Sequence, residues 1–348
     1  LNLPRIKKIS VSIMALFSKD LGIDLGTVNI RAVEGNRVLI DEPTIAAIVV
    51  AEQKMVAWGK EAQDMLGRVP ESIEVTRPMR NGVIADYEVA EYILRDLLRK
   101  IAGSMQILRP LLMVAIPEGI TSVERRAVHE AALQAGSRDV YLIQQPIAAA
   151  LGVDLPIATP SGNMILCLGG GTTQAAVMAM YGIVAGDTLR AGGMQLDEAI
   201  VSYVRKKYGL IIGLQTAEQL KIKIGAAVPQ DDELSMEIQG QDQVTGLPRP
   251  VTLVTGEIVD AMEEVLKPQV EAVRRVLERT PPELVSDIID RGIALCGGGA
   301  LLKGIDRLLT KELGVPAYLV DSPTTCVAEG AARAIHMRDA LRRNLPAA

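Results

Sequence analysis

The sequence predicts an α/β fold built from two related halves. The first observation is a pair of glycine turns of one design: Gly22-Ile23-Asp24-Leu25-Gly26-Thr27 and Leu166-Cys167-Leu168-Gly169-Gly170-Gly171-Thr172-Thr173. Each turn follows an apolar β-type run and leads into another, residues 30–33 and residues 175–178. The second observation is order. A strand-strand-strand-helix-strand-helix-strand-helix series runs through the first half and restarts at the second turn. The third is size: 348 residues exceed what a single core ordinarily holds.

Taken in order, residues 23–33 and 37–40 read as a strand meander broken at Glu34-Gly35-Asn36. Residues 44–51 (TIAAIVVA) are β-branched and apolar, which predicts a buried strand. A short helix is expected over 62–66. Val89, Ala90, Ile93, Leu94, Leu97, Leu98 and Ile101 recur at helical spacing, with Glu91, Arg95, Asp96 and Arg99 on the other face. Residues 111–116 form an apolar run closed by Pro117, a buried strand. Residues 121–135 predict a helix that Thr121 and Glu124 cap reciprocally and Gly136 ends. A strand follows over 140–143, and a helix begins at Pro146. The turn-rich segment 159–163 marks a domain boundary. Beyond it, helices are expected over 197–208, 216–224, 258–279, 300–309 and 327–343. Strands are expected over 235–241, 249–254 and 292–296, the last running into Gly297-Gly298-Gly299.

Composition narrows the function classes. The chain is 49% hydrophobic with a net charge of −5, which argues against nucleic acid as the main partner. Cys167, Cys296 and Cys326 lie far apart and are odd in number, so no disulfide framework or metal spacing is present, as suits a reducing cytosol. With two histidines, His129 and His336, a histidine zinc site or catalytic triad is not expected. No stretch approaches the roughly 18 apolar residues that cross a bilayer. Residues 1–13 form an uncertain extension, with Met14 near the expected native start. Ile6, Ile9, Ile13, Leu16 and Phe17 would share one helical face beside Arg5, Lys7 and Lys8, a pattern that suits a membrane interface.

Neither glycine turn is a P-loop, and neither opens a helix as the Rossmann fingerprint does. Three glycine turns that each follow a strand point instead to a different nucleotide cleft. Without Cβ atoms such turns let the backbone approach an anion and aim N–H groups at it. Asp24 then offers one carboxylate to a hydrated Mg²⁺. Thr27 and Thr172 offer hydroxyls to phosphate oxygens, and Gly298 and Gly299 leave room for adenosine against the backbone.

These residues resemble the actin / heat-shock chaperone / sugar kinase superfamily and, within it, the MreB family of bacterial actins. The similarity spans residues 14–334. It is carried by DLGT at 24–27, DEPT at 41–44, RPMRNGVIADYEVA at 77–90, IPEGITSVERRAV at 116–128 and LIQQPIAAALG at 142–152. It continues with LGGGTT at 168–173, TAEQLKIKIG at 216–225, TGLPR at 245–249, TPPELVSDIIDRGIALCGGGALLKGID at 280–306 and CVAEGAARAI at 326–335.

The resemblance implies a bilobed actin-like ATPase fold with two large subdomains, each bearing a small insertion. The first lobe would comprise 14–160 and 328–348 with an insertion near 45–78. The second would comprise 161–327 with an insertion near 197–257. The resemblance places ATP contacts on Gly26, Thr27, Val28 and Asn29, and on Gly169, Gly170, Gly171 and Thr172. Glu218 and Lys221 would lie beside base and ribose, and Gly298, Gly299, Ala300 and Leu301 beside adenosine. Asp24 would hold Mg²⁺. A membrane-contact loop falls on Met105, Ile107 and Leu108. The implied setting is cytoplasmic: double protofilaments on the inner face of the cell membrane, working with transmembrane cell-wall elongation proteins and not with nucleic acid.

The chain departs from the family pattern at acids. Family V-D-I-G-G-G-T-T-E is here Leu166 to Gln174, so Cys167 replaces Asp and Gln174 replaces Glu. Family I-E-E-P is Ile143-Gln144-Gln145-Pro146, and family G-G-D-E-M-D is Gly192-Gly193-Met194-Gln195-Leu196-Asp197. Gln144 falls where the family glutamate orients the attacking water. A glutamine orients water but cannot take its proton. A thiol is a poor ligand for a hard cation such as Mg²⁺. The expected function is therefore a nucleotide-binding, filament-forming cytoskeletal protein that organises cell-wall elongation, with slow or impaired hydrolysis at a weakened Asp24, Gln144 and Gln174 site. Alternatives from the same superfamily are a paralogue that co-assembles without polymerising alone, a small-molecule kinase and a chaperone-like ATPase.

Overall fold

The computed structural model describes residues 19–102 and 109–347. The expected N-terminal extension 1–13, the start near Met14 and the membrane-contact residues Met105, Ile107 and Leu108 lie outside the described residues. The chain divides into two compact units, one running to Leu155 and resuming at Thr325, the other Pro156–Thr324.

In the first unit, β1 (Asp20–Leu25), β2 (Asn29–Glu34) and β3 (Arg37–Pro43) form an antiparallel meander. A small insertion follows: β4 (Ala46–Val49), β5 (Lys54–Trp58), α1 (Lys60–Met65) and β6 (Ile73–Thr76), with β4 central in its own sheet. The expected strand over 44–51 shortens to β4 because a turn begins at Val50. The hairpin of β7 (Met79–Arg80) and β8 (Val83–Ile84) leads to α2 (Tyr87–Ala102), β9 (Leu111–Ile116), α3 (Ser122–Gln134), β10 (Asp139–Gln144) and α4 (Gln145–Gly152). The main sheet has the order β10-β9-β1-β2-β3. Every residue of β9 is buried, as its unbroken apolar run predicts for a strand covered on both faces. The capping box of α3 forms as read: Thr121 Oγ1 accepts from Glu124 N–H at 3.2 Å, and a Glu124 carboxylate oxygen accepts from Thr121 N–H at 2.8 Å.

The second unit repeats the plan. Its strands are β11 (Asn163–Leu168), β12 (Thr173–Ala179), β13 (Gly182–Leu189), β14 (Leu210–Ile211), β15 (Ser235–Asp242), β16 (Pro248–Val254), β17 (Ile293–Cys296) and β18 (Ala317–Leu319). Its helices are α5 (Gly193–Tyr208), α6 (Leu214–Ile224), α7 (Thr255–Arg279), α8 (Pro282–Arg291) and α9 (Ile305–Leu313). The main sheet order, β13-β12-β11-β17-β18, is that of the first unit read from the other edge. In both, the strand before the glycine turn sits at the centre, antiparallel to its successor and parallel to a later strand. The chain then returns to the first unit in α10 (Cys326–His336) and α11 (Arg338–Leu341).

Several boundaries differ from the sequence expectation. Helix α5 starts at Gly193 rather than 197 because Gln195 accepts the Gly192 N–H at 2.7 Å and caps the first turn. The expected helix over 300–309 is instead a 3-10 turn (Gly298–Leu301) and then α9. Gly304, at φ +76, is in the left-handed region that separates them. The closing helix expected over 327–343 breaks at Met337, and α8 was not anticipated. Helix α7 runs through Pro268, whose position on the exposed side leaves the buried face continuous through Leu266, Gln269 and Val270.

Candidate functional site

In the first unit, Asp24 lies opposite Arg31 across the β1–β2 ladder. The turn between the strands closes with Gly26 N–H donating to the Asn29 carbonyl at 3.1 Å. A Cβ at Gly26 would stand 2.6 Å from that oxygen, so the turn admits no side chain there. Among the described residues, no backbone carbonyl accepts the N–H of Thr27 or Val28. The Val28 carbonyl accepts from Thr44 N–H at 2.7 Å, and Asn29 Nδ2 donates to Asp41 at 3.0 Å. Thr27 is buried, and its Oγ1 accepts the Gly82 N–H at 2.8 Å. That bond comes from the β7–β8 hairpin, whose Asn81 and Gly82 both have positive φ, as a tight two-residue turn requires. The Asn81-Gly82 pair was the sequence signal for this contact; reading 77–90 only as a family motif passed over it.

Asp24 is buried. Burial raises its proton affinity, opposed by the Arg31 guanidinium at 3.9 Å and by the Gln145 amide, which donates to Oδ1 at 3.2 Å. Arg31 is shared with Asp41, at 3.0 Å. At the same carboxyl end of the sheet, Gln144 Nε2 donates to Glu118, two residues past β9. Burial raises the proton affinity of Glu118, and the Gln144 hydrogen bond opposes it. Neither Glu118 nor the Gln145–Asp24 bond follows from spacing. Both depend on the parallel register that sets Gln144 beside Ile116 and Asp24 beside Ala115. The carboxyl ends of parallel strands are where open α/β sheets place ligands.

The second unit carries the same turn. Gly169 N–H donates to the Thr172 carbonyl at 2.8 Å, the counterpart of the Gly26–Asn29 bond. Among the described residues, no backbone carbonyl accepts the N–H of Gly170 or Gly171. The carbonyls of Gly169 and Gly170 accept from Gly193 and Met194 at 2.9 and 2.8 Å, so the first turn of α5 is welded to the glycine turn. Cys167 lies opposite Gln174 across the ladder, the register position of Asp24 and Arg31. Gln174 is fully buried, and its amide donates to Thr172 Oγ1 at 3.2 Å. Cys167 meets Cys296 on the parallel neighbour β17, with the Cys296 thiol donating at 3.2 Å between sulfurs. Neither cysteine is in a disulfide, and both are buried.

Lys221 forms an ion pair with the Asp197 carboxylate at 2.7 Å and donates to the Gly193 carbonyl at 2.9 Å, so α6 is tied to the start of α5. Glu218 sits one turn earlier on α6 and is half-buried. In the third glycine run, Gly297 has φ +86, and a Cβ there would stand 2.3 Å from the Leu168 carbonyl. Gly299 packs on Leu168 in the same way, whereas Gly298 faces open space. Ala300 is buried and Leu301 exposed. The structure thus gathers Gly169–Thr172, Gly193, Lys221 and Gly297–Gly299 in one unit, and Asp24–Asn29 with Gln144, Gln145 and Glu118 in the other. Among the described residues, no cluster of three or more His, Cys, Asp or Glu forms a metal cage.

A family model described as MreB/Mbl protein matches residues 18–343. The chain belongs to the MreB/Mbl family. It is 44% identical over 330 residues to the cell shape-determining protein MreB of Escherichia coli K12, covering 93% of this chain and 95% of that one. It is also 44% identical over 316 residues to the cell shape-determining protein Mbl of Bacillus cereus, covering 90% and 95%. Among solved structures it matches MreB5 of Spiroplasma citri bound to ADP, with a TM-score of 0.88 and 32% identity over 94% of this chain and 98% of that chain. The MamK double helical filament matches at a TM-score of 0.77 and 19% identity over 91% of this chain and 98% of that chain, a likeness of fold. The fold is the actin-like α/β ATPase fold, and this MreB/Mbl member is an actin-like cytoskeletal protein of cell shape.

Proposed function

We propose that this chain binds ATP with a hydrated Mg²⁺, assembles with copies of itself into filaments on the inner face of the cell membrane beside transmembrane cell-wall elongation proteins, and hydrolyses ATP slowly. The observation that carries nucleotide binding is the duplicated turn. Among the described residues, Thr27 and Val28, and equally Gly170 and Gly171, keep backbone N–H groups clear of backbone carbonyls, the property of an anion-binding nest. Structures of the related MreB5 of Spiroplasma citri bound to ADP and to AMPPNP support the reading. Glu218 and Lys221 would serve base and ribose, and Gly298, Gly299, Ala300 and Leu301 adenosine.

Asp24 suits a hydrated cation. It is a buried carboxylate whose burial cost a nearby positive charge offsets only in part, and Mg²⁺ commonly keeps several waters while a single carboxylate anchors it. Slow hydrolysis follows from the second turn. Cys167 and Gln174 occupy the register of Asp24 and Arg31 without a charge between them, and the Cys167 thiol is turned to Cys296. The site therefore loses an oxygen ligand where one turn has it. Membrane attachment rests on the family resemblance and on Met105, Ile107 and Leu108. Two or three such side chains bury roughly 2 kcal/mol each in lipid, so a filament would bind through avidity.

The test is phosphate release with Mg-ATP alongside sedimentation and flotation with anionic vesicles. Nucleotide-dependent, vesicle-bound polymers with phosphate release well below that of an MreB relative measured in parallel are expected. Turnover equal to that relative would remove the slow-hydrolysis reading. Absence of nucleotide binding would remove the whole proposal.

A further inference from the structure

Gln144, which ends β10, and Gln145, which opens α4, are each tied to a carboxylate. Gln145 Nε2 donates to Asp24, and Gln144 Nε2 donates to Glu118. The register explains the second contact. Strands β9 and β10 are parallel with Gln144 beside Ile116, so the residue two places beyond β9 reaches the side chain at the end of β10. Glu118 is half-buried, so its carboxylate is partly shielded from water.

An amide side chain has a donor side and an acceptor side, and its flip decides which way each faces. An ionised carboxylate only accepts hydrogen bonds. Placed against Gln144, Glu118 admits the NH₂ side alone and rejects the carbonyl by repulsion between oxygens. The flip is thereby chosen, and Oε1 is left as the acceptor directed away from Glu118. An acceptor is what orienting a water requires, because the water must give a hydrogen bond while its lone pair is kept for the attack.

We propose that Glu118 is a positioning residue for hydrolysis: by holding the Gln144 amide in one flip, it presents Oε1 to the attacking water. This rests on the reading of the chain as a slow ATPase in which Gln144 orients water. Glu118 acts through Gln144. In the flipped amide, the NH₂ group would face the water and compete for the lone pair that attacks phosphorus.

A double-mutant cycle tests this on the full chain. Glu118→Ala, Gln144→Ala and the double variant are compared for Mg-ATP affinity, sedimentation and phosphate release. Glu118→Ala should lower kcat by about tenfold or more, the scale of a misoriented reactant, with Kd for Mg-ATP and polymer yield within twofold of the parent. In the Gln144→Ala background, the same substitution should change kcat less than twofold, since there is no amide left to orient. Glu118→Gln provides a second route if the alanine variant does not fold. Its side-chain amide can face Gln144 either way, so a smaller drop with the same dependence on Gln144 is expected.

An unchanged kcat in Glu118→Ala overturns the proposal, as does an equal loss of kcat with and without Gln144. A parent that binds Mg-ATP and releases no phosphate overturns the proposal while nucleotide binding stands. A parent that binds no nucleotide overturns both readings.

Discussion

Asp24 faces Arg31 across one ladder, and Cys167 faces Gln174 at the same register of the other. Behind Asp24 the parallel neighbour is Ala115; behind Cys167 it is Cys296. The turns between the strands are nonetheless closed by the same bond, Gly26 to Asn29 and Gly169 to Thr172. The backbone cradle and the chemistry at its base are therefore separable. Glycine and a strand register suffice to build the cradle, while charge is set independently by the side chains beneath it. Two positions earlier the units differ again. Gly22 carries α10 so closely that a Cβ would stand 2.2 Å from the Ala332 nitrogen, whereas the equivalent Ile165 is fully buried.

The largest effect should come from that last contrast. Gly22→Ala forces a methyl into helix backbone, which cannot rotate away, and should cost about 3 kcal/mol or more in urea unfolding. Ile165→Ala should cost about 2–5 kcal/mol by the opposite route, an unfilled cavity. A small ligand such as xenon should recover part of the second loss and none of the first. Equal recovery of both would erase the distinction.

Exchanging the chemistry comes next. Cys167→Asp sets a carboxylate against the buried Cys296 thiol, and a loss of about 2 kcal/mol is expected. Adding Cys296→Ala reproduces the Asp24–Ala115 arrangement and should return part of that stability. On the proposed function, it should also raise phosphate release above that of the parent. A double variant no more stable than the single would show that space behind position 167 is not the constraint.

The pH dependence of the first turn is a subtler test. Burial holds the proton affinity of Asp24 above the ordinary carboxylate value. Its contribution to stability is then fully present below the unfolded value of about 3.9, and is lost as pH rises through the higher folded value. Asp24→Asn should flatten that part of the melting profile above about pH 4 and raise the apo melting temperature at pH 7. It should also abolish stabilisation by Mg-ATP. An unchanged pH slope would mean that Arg31 fully compensates the burial. The smallest effect is expected at the α3 cap, where Thr121→Ala should cost about 1 kcal/mol without altering nucleotide affinity.

Much of this was legible in the chain. The glycine turns, the β9 run, the α3 capping box and the repeated element order all rest on residues close in sequence, where periodicity and turn chemistry operate. The 3-10 turn before α9 was missed because Gly304 breaks a sequence whose apolar spacing continues through it. The start of α5 was misplaced because its N-cap, Gly192, has no side chain to cap with, and the capping bond comes from Gln195 three residues on. At the candidate site, Asp24, Thr27 and the second glycine turn were readable from motif and position. Glu118 was not, since nothing near it in sequence marks it as a partner of Gln144.

The sequence by itself determined the strands flanking the glycine turns, the turns, the repetition and the family, because each is written in local pattern or in long matching motifs; the short strands such as β5, β6, β14 and β18 carry no such pattern. Only the tertiary structure decided which polar group each functional side chain meets. Glu118 reaches Gln144 across 26 residues, Gly82 reaches Thr27 across 55, and Cys296 reaches Cys167 across 129. Such pairings are set by strand register and hairpin geometry. A shift of one residue in either would turn these side chains to the opposite face of the sheet.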